Sequence, residues 1–347
     1  MWQRPGEWGS SKLKNQRILF MRTPKGLPVP EDFGADVVDA PVPREGQFLS
    51  RTLWLSLDPY YRNVMKGSQI YADRIKPGDP MVGETIAQIV DSRHPGFAAG
   101  EYVSVRNGWQ TYAVSDGTGV RKIDPQAAPL STALGVLGMP GLTGYAGLVY
   151  LGEPKPGQTV VVSAATGPVG STAGQVARLV GARPVGIAGS SEKCRYATEE
   201  LGYAACVNYR DGDLRAQLKA ACPDGIDVYF DNVGGDTLTA VLSNLALHAR
   251  VVLCGIIEAY SMDTPPAGPF LGPVVGARAT VKGLVVYDWM HKQPEQLRVV
   301  GNWIRSGVFH YREDVTEGLE NAPEAFCRLM QGRNFGKALV RVSPETA

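Results

Sequence analysis

The sequence predicts an α/β protein with two domains, a small barrel-like β domain and a doubly wound parallel sheet. Its 347 residues are long enough for two domains. Short β-rich segments separated by glycine, proline and aspartate fill the first third of the chain. From about residue 159, strand and helix patterns alternate, which is typical of a parallel sheet covered by helices on both faces.

The first domain is predicted from four strand-like segments, namely "RTLWLSL", "ETIAQIV", "EYVSV" and "WQTYAVS". The tail, "NFGKALVRV", is predicted to be a further strand that returns to this domain. We therefore expect a flexible extension over 1–15, a β domain formed by 16–130 with 309–347, and a cofactor-binding domain over 131–308.

The cofactor-binding domain is predicted to contain six strands, which begin with "TVVVSA" and end with "ATVKGLVV". Between them, helices are predicted at about 168–180, 192–202, 213–221 and 235–246. A last helix is expected in "PEQLRVVGNWIRSG".

The composition excludes several classes of function. The formal net charge is +1, so neither a nucleic acid nor a membrane partner is expected. The run "VVLCGII" at 251–257 is too short to span a bilayer. The five cysteines include no CxxC pair, which favours a reduced, cytoplasmic setting over a disulfide framework.

A small-residue turn follows the first strand of the parallel sheet. Gly167 and Gly170 are placed for backbone N–H groups to approach a pyrophosphate at a helix N-terminus, and Gly174 for close packing of that helix on the sheet. Ala165 stands where the first glycine of G-x-G-x-x-G is expected, which is tolerable if its φ is negative. We interpret the turn as a dinucleotide site; the alternative is a tight structural turn.

The end of the second strand indicates which dinucleotide. An NAD site has an acidic residue here that binds the ribose 2′-hydroxyl. This chain has "GIAGSSEK" instead, with Gly189, Ser190, Ser191 and Lys193 at the tip. Hydroxyl groups and a cation suit a 2′-phosphate, which predicts NADP(H). The alternative is that Lys193 is a solvated helix residue.

Several motifs in this order resemble one family. They are "RTPKGLPVPEDF", "LSLDPYYR", "LGMPGLTGYAGL", "AATGPVGSTAGQVA", "GSSEK", "YFDNVGG", "LCGIIEAY" and "GRNFGKALV". From about Asn15 onward the chain resembles the zinc-independent medium-chain dehydrogenase/reductases, in the leukotriene B4 12-hydroxydehydrogenase, prostaglandin reductase and curcumin-reductase-like branch. The resemblance implies a GroES-like β-barrel catalytic domain, a Rossmann domain and a homodimer. Pairing of the last strand across a two-fold axis also predicts the dimer.

The same resemblance leads us to expect no metal. Zinc-dependent relatives carry a Gly-His-Glu box, whereas "MVGETIAQ" has Val82 before Gly83 and Glu84. No four cysteines have structural-zinc spacing, and the four histidines are dispersed.

Cofactor contacts are implied residue by residue. The resemblance places the pyrophosphate at Gly167, Pro168, Val169 and Gly170, the 2′-phosphate at Lys193 and the adenine at Tyr209. Around the nicotinamide and its ribose it implies Asn232, Cys254, Gly255, Ile256, Tyr260, Leu284, Val285, Val286 and Asn334. For Asn232 a helix N-terminal role, and for the valines a buried strand, are the structural alternatives.

The reaction that the resemblance implies is NADPH-dependent reduction of a carbon–carbon double bond in an α,β-unsaturated ketone or aldehyde. Without a metal, the enolate oxygen needs neutral hydrogen-bond donors. The candidates are Tyr60, Tyr260 and Tyr287, each of which is alternatively a packed aromatic residue. Mammalian members have a tyrosine where this chain has Gly276, so the donor arrangement is expected to differ.

Two other functions remain open from the sequence. One is NADPH-dependent quinone reduction, which uses the same fold and cofactor. The other is a non-catalytic NADPH-binding protein with a structural or regulatory role.

Overall fold

The protein, described here by a computed structural model, contains two main sheets and a two-stranded sheet that joins the first of them. The structure describes residues 13–67, 74–264 and 266–345. Most of the expected N-terminal extension lies outside the described residues, and the first strand begins at Lys14. The predicted α/β class with a β-rich first domain and a Rossmann-like second domain is confirmed.

The β-rich domain is built on a seven-stranded sheet in which β3 is central. Its strands run in the order β14-β15-β3-β4-β5-β7, and β6 also pairs with β3. The bounds are β1 Lys14–Phe20, β2 Phe33–Asp39, β3 Phe48–Ser56, β4 Thr85–Ser92, β5 Tyr102–Val105, β6 Tyr112–Ser115, β7 Arg121–Ile123, β14 Glu313–Glu317 and β15 Lys337–Arg341. The tail strand β15 lies antiparallel to β3, so the chain does return to this sheet after the second domain.

The second domain is a parallel sheet of six strands in the order β10-β9-β8-β11-β12-β13. The bounds are β8 Thr159–Ser163, β9 Arg183–Ala188, β10 Ala205–Asn208, β11 Ile226–Asp231, β12 Leu245–Leu253 and β13 Thr280–Gly283. The winding direction reverses between β8 and β11. In sheets of this kind the crevice beyond the carboxyl ends of those two strands is where ligands bind.

Helices cover both domains. Their bounds are α1 Tyr61–Met65, α2 Met139–Ala146, α3 Pro168–Leu179, α4 Ser191–Glu199, α5 Leu214–Ala221, α6 Gly235–Leu242, α7 Ile257–Tyr260, α8 Gly272–Ala277, α9 Gln293–Arg305 and α10 Ala322–Met330. Within the part of the chain that the structure describes, no helix combines the length and apolar character needed to cross a membrane.

The prediction of a helix over 235–246 was wrong at its C-terminal end. Helix α6 ends at Leu242, and β12 already begins at Leu245. The cause is Asn244, whose side-chain amide donates hydrogen bonds to the carbonyls of Ala240 and Arg215. Capping of the last carbonyls by a side chain ends the helix there.

An aromatic core holds α1 and α10 under the carboxyl end of β3. The rings of Phe33 and Trp109 are stacked 5.5 Å apart, and Phe326 of α10 packs edge-on against both. Tyr61 of α1 is buried in the same cluster. This packing fixes the segment 57–60, which precedes α1, as one wall of the crevice.

Candidate active site and cofactor cleft

A cavity of about 650 Å³ lies between the two domains. The first domain contributes the segment Leu57 to Tyr60 and the start of β15, and the second contributes the turn after β8 and the loops after β9, β11 and β12. This volume is within the usual range for a small-molecule or cofactor site.

The turn after β8 and the helix α3 that follows it are packed too closely for side chains at two glycines. A Cβ atom at Gly170 would lie 2.3 Å from the carbonyl oxygen of Ala164, and one at Gly174 would lie 2.0 Å from the ring of Tyr203. The hydroxyl of Tyr203 donates a hydrogen bond to the carbonyl of Gly170 at 2.8 Å, and this bond helps to hold the backbone of the turn in place. The positive φ in this turn, 49°, falls on Ala164, and Ala165 is not among the residues with a positive φ.

The first turn of α3 offers backbone donors to the cavity. Gly167 is the N-cap residue, Pro168 occupies N1, and Val169 and Gly170 follow. All four line the cavity. The N–H groups of the first helical turn have no acceptors within the helix, and the helix dipole favours an anion there. The turn therefore fits a pyrophosphate.

The segments after β9 and β10 each carry a cation, and the two interact. The pKa of Lys193 is lowered, chiefly by burial and further by the charge of Arg210. Arg210 lies over the ring of Tyr209, with its guanidinium carbon 5.5 Å from the ring centroid. The ammonium of Lys193 donates to the carbonyl of Gly332 at 2.8 Å, across the cleft. The two positive charges repel each other, and a doubly charged 2′-phosphate would relieve that repulsion. The pair therefore suits such a group.

The loops at the other end of the cavity contain the remaining candidates. Asn232 donates its backbone N–H to the hydroxyl of Ser163 and its side-chain amide to the carbonyl of Ser163, each at 2.8 Å. It is therefore held by the end of β8 and does not cap α6. The other candidates that line the cavity here are Cys254, Gly255, Tyr260, Leu284, Val285, Val286 and Asn334.

Three sequence-predicted site residues do not line the cavity, namely Ser190, Ser191 and Ile256. Ser190 instead caps α4 by accepting a hydrogen bond from the N–H of Lys193. Ile256 is the case in which the neighbouring residue takes the place. Its side chain is 51% exposed. The side chain of Ile256 packs against Gly234 instead, since a Cβ atom added to Gly234 would lie 3.2 Å from it. Its neighbour Ile257 lines the cavity instead.

The three candidate tyrosines all line the cavity. Tyr60 is half-buried at the start of α1, and its ring lies 4.6 Å from that of Tyr61. Burial raises the pKa of Tyr60 well above its ordinary value, and nearby negative charge adds to the effect. Tyr260 is 8% exposed and packs in the aromatic core.

Sequence reasoning missed Arg106, which contacts a candidate catalytic residue. Its guanidinium Nη2 donates to the hydroxyl oxygen of Tyr287 at 2.8 Å and lies against the same ring. Arg106 follows β5 in the first domain, whereas Tyr287 follows β13 in the second. No sequence pattern links residues so far apart, so only the fold could identify this pair.

Sequence reasoning also missed a buried ion pair between Asp58 and Lys337, although each residue lies in one of the family motifs. Lys337 Nζ is 2.7 Å from Asp58 Oδ1, and the two side chains are 3% and 7% exposed. Lys337 also donates to the carbonyl of Leu57 at 2.9 Å. The second oxygen of Asp58 accepts from the hydroxyls of Ser56 and Tyr61. The pair joins "LSLDPYYR" to "GRNFGKALV" directly behind Tyr60.

The position of Gly276 is remote from these groups. Gly276 lies on α8, and a Cβ atom there would meet nothing within 4 Å. A larger side chain would therefore fit sterically, but the cavity lining contains no residue of α8.

The comparisons agree with this two-domain layout. Residues 16–123 match a family described as the N-terminal domain of oxidoreductase, and residues 168–304 match one described as zinc-binding dehydrogenase. The second description names zinc. Among residues 13–67, 74–264 and 266–345, however, no group of three or more His, Cys, Asp or Glu side chains could hold a metal ion.

Similar proteins match over nearly the whole chain. The NADPH-dependent curcumin reductase of Escherichia coli is 43% identical over 96% of this chain and 99% of its own. The 2-alkenal reductase (NADP(+)-dependent) of Nicotiana tabacum is 37% identical over 97% of this chain and 100% of its own. The crystal structure of CurA from Vibrio vulnificus in complex with NADPH is 41% identical, covers 95% of this chain and 99% of its own, and superposes with a TM-score of 0.90.

Proposed function

This chain belongs to the zinc-independent medium-chain dehydrogenase/reductases, in the branch of the prostaglandin and curcumin reductases, and from that premise we propose that it is an NADPH-dependent reductase of α,β-unsaturated ketones and aldehydes. It is an oxidoreductase acting on CH–CH groups. The observation that carries the proposal is the cavity, which the cation Lys193 after β9 and the tyrosines Tyr60, Tyr260 and Tyr287 line together.

The chain's own residues would hold the cofactor along this cavity. The first turn of α3 would bind the pyrophosphate, and Lys193, with the charge of Arg210 nearby, would bind the 2′-phosphate. Leu284, Val285 and Val286 line the cavity and would present an apolar surface to the nicotinamide. When bound, NADPH supplies the hydride that is delivered to the β-carbon of the substrate.

The tyrosines would stabilise the negative charge that develops on the substrate's carbonyl oxygen. The oxygen of Tyr287 accepts a hydrogen bond from Arg106, which leaves its O–H free to donate. A hydroxyl that accepts from a cation becomes a stronger donor. Tyr60, which is protonated at neutral pH like any tyrosine and lines the same cavity, is a second donor. Donors that are oriented in advance are the main source of such catalysis.

The direct test is consumption of NADPH with a panel of simple enones and enals, followed by product analysis for the saturated ketone or aldehyde. We expect turnover of at least some panel members and a saturated product. Turnover of quinones alone would favour the quinone reductase alternative. NADPH binding without turnover of either class would favour the non-catalytic alternative.

Replacing Lys193 with alanine should weaken NADPH binding about 10- to 100-fold, since a hydrogen bond to a charged group contributes about 1.5–3 kcal/mol. NADH lacks the 2′-phosphate, so its dissociation constant should not change. Both constants can be measured by quenching of tryptophan fluorescence.

Lys219 provides the matched control. It lies on α5, outside the cavity lining, and donates to the carbonyl of Pro223 on the surface. Lys219→Ala should leave both dissociation constants unchanged. An unmodified enzyme that binds NADH more tightly than NADPH would contradict the assignment of Lys193.

The proposal includes a cytoplasmic homodimer. The five cysteines are free, which supports a reducing compartment. Strand β13 forms an open edge of the parallel sheet. Around it lie apolar side chains with large exposed fractions, namely Phe270 at 83%, Val275 at 76%, Leu271 at 58%, Leu247 at 58% and Val281 at 43%. A second copy paired across a two-fold axis would cover this face.

Light scattering should therefore give a particle mass near twice 37.3 kDa. Val281→Lys places a charge on the strand edge and should shift the protein to a monomer, because edge lysines block strand pairing. Val42→Lys is the control, since Val42 is 72% exposed in the first domain, away from this edge. A monomeric unmodified protein would refute the dimer.

A further inference from the structure

Two cysteines that the proposed reaction does not use meet beside the cofactor cleft. Cys194 lies on α4 and Cys206 on β10, and their sulfur atoms are 3.0 Å apart. Cys206 donates its S–H to the sulfur of Cys194. Both thiols are free and belong to half-buried residues.

The backbone fixes this juxtaposition. Cys206 pairs with Gly186 on β9, and a Cβ atom at Gly186 would lie 3.0 Å from the Cys206 sulfur. The absence of a side chain at Gly186 therefore makes room for the thiol. Cys194 is placed by the start of α4, where Ser190 accepts a hydrogen bond from the N–H of Lys193. Strand register and helix start together direct the two sulfurs at each other.

The two thiols differ in character. The hydrogen bond from Cys206 is the main cause that lowers the pKa of Cys194, while burial and the charge of Asp211 oppose it. The same hydrogen bond, with burial, raises the pKa of Cys206. A cysteine near a helix N-terminus is also stabilised as a thiolate. Cys194 is thus the nucleophile of the pair, and Cys206 the proton-bearing partner.

We propose that Cys194 and Cys206 are a reversible disulfide-forming pair, oxidised by low-molecular-weight disulfides, and that the bridge weakens NADPH binding. The second part rests on the proposed function, because it takes the neighbouring subsite to bind the 2′-phosphate and adenine.

The oxidation is a balanced thiol–disulfide exchange. The thiolate of Cys194 attacks one sulfur of the small disulfide, the S–S bond of the reagent breaks, and the first small thiolate leaves with the proton lost by Cys194. Cys206 then loses its proton and attacks the Cys194 sulfur, which expels the second small thiolate, and that thiolate takes up the Cys206 proton. The protein pair loses two electrons, and the reagent is reduced to two thiols.

The bridge is coupled to the cofactor site through the chain on both sides. Lys193 directly precedes Cys194, and Tyr209 lies three residues beyond Cys206; both line the cavity. A disulfide bond is about 2.05 Å long, so closure draws the first turn of α4 toward β10 by up to about 1 Å. Displacements of this size are enough to lose a positioned charge–phosphate contact.

The experiment compares reduced enzyme with enzyme treated with oxidised glutathione. Free thiols are then alkylated under denaturing conditions, and the digest is mapped by mass spectrometry. In parallel, NADPH binding is measured by titration calorimetry on both forms and after re-reduction. The variants Cys194→Ser and Cys206→Ser undergo the same treatment. Because Cys206→Ser lacks the second thiol of the pair, its Cys194 can form only a mixed disulfide with glutathione.

We expect a Cys194–Cys206 cross-linked peptide, a dissociation constant for NADPH raised about fivefold or more, and full recovery on reduction. Neither effect should occur in Cys194→Ser, whose binding should match that of the reduced enzyme. Absence of the cross-linked peptide, or equal affinities of the two forms, would overturn the proposal. The peptide map does not depend on the cofactor. If the reduced enzyme failed to bind NADPH, the proposed function and the coupling to it would be refuted. The peptide map would still show whether Cys194 and Cys206 form a disulfide bond.

Discussion

Replacing Lys337 with methionine is expected to lower the free energy of unfolding by about 3–5 kcal/mol, because it leaves a buried carboxylate without its cation. Asp58 is 5% exposed, and its partner ammonium lies 2.7 Å away. Methionine keeps much of the volume of the lysine stem, so the loss measures the charge and not a cavity. Urea denaturation followed by tryptophan fluorescence gives the value.

Two further variants separate this effect from a general intolerance of substitution. Lys14→Met breaks the Lys14–Asp39 pair, which has the same 2.7 Å separation but side chains that are 66% and 46% exposed. It should cost less than about 1 kcal/mol. Asp58→Asn combined with Lys337→Met removes both charges and should recover most of the stability. A loss for Lys337→Met no larger than that for Lys14→Met would show that the buried pair does not matter.

Removing the hydroxyl of Tyr287 is expected to lower kcat about 100- to 1000-fold, the usual effect of deleting one oxyanion donor. Tyr287→Phe keeps the ring that lies against Arg106 and removes only the group that accepts from its guanidinium. The dissociation constant for NADPH should change little. Stopped-flow reduction of an enone that the enzyme turns over would measure the effect on the chemical step.

Tyr60→Phe tests the second donor in the same assay and should reduce kcat in the same direction. Tyr112→Phe is the control, because Tyr112 lies on β6 and does not line the cavity. If both cavity variants retained the kcat of the Tyr112→Phe control, neither hydroxyl would stabilise the enolate, and the catalytic assignment would be wrong.

Much of the fold was predictable because local patterns and global topology agree. The alternation of strands and helices determined a parallel sheet, and β11 begins and ends where "IDVYFD" does. The end of α6 was not predictable, because a side-chain bond from Asn244 to Arg215, on another helix, contributes to it. Among the predicted site residues, Gly167 and Gly170 follow from spacing after one strand, and they line the cavity, whereas spacing could not tell that Ile257 and not Ile256 does so.

The sequence by itself determined the α/β class and the type of cofactor turn, since glycine spacing, the missing acidic residue after β9 and Lys193 are local features. Only the tertiary structure decided which distant groups meet. Arg106 with Tyr287, Asp58 with Lys337, and Cys194 with Cys206 are each brought together by strand register and domain packing. Contacts of this kind depend on the positions of whole elements, and no local pattern of residues encodes them.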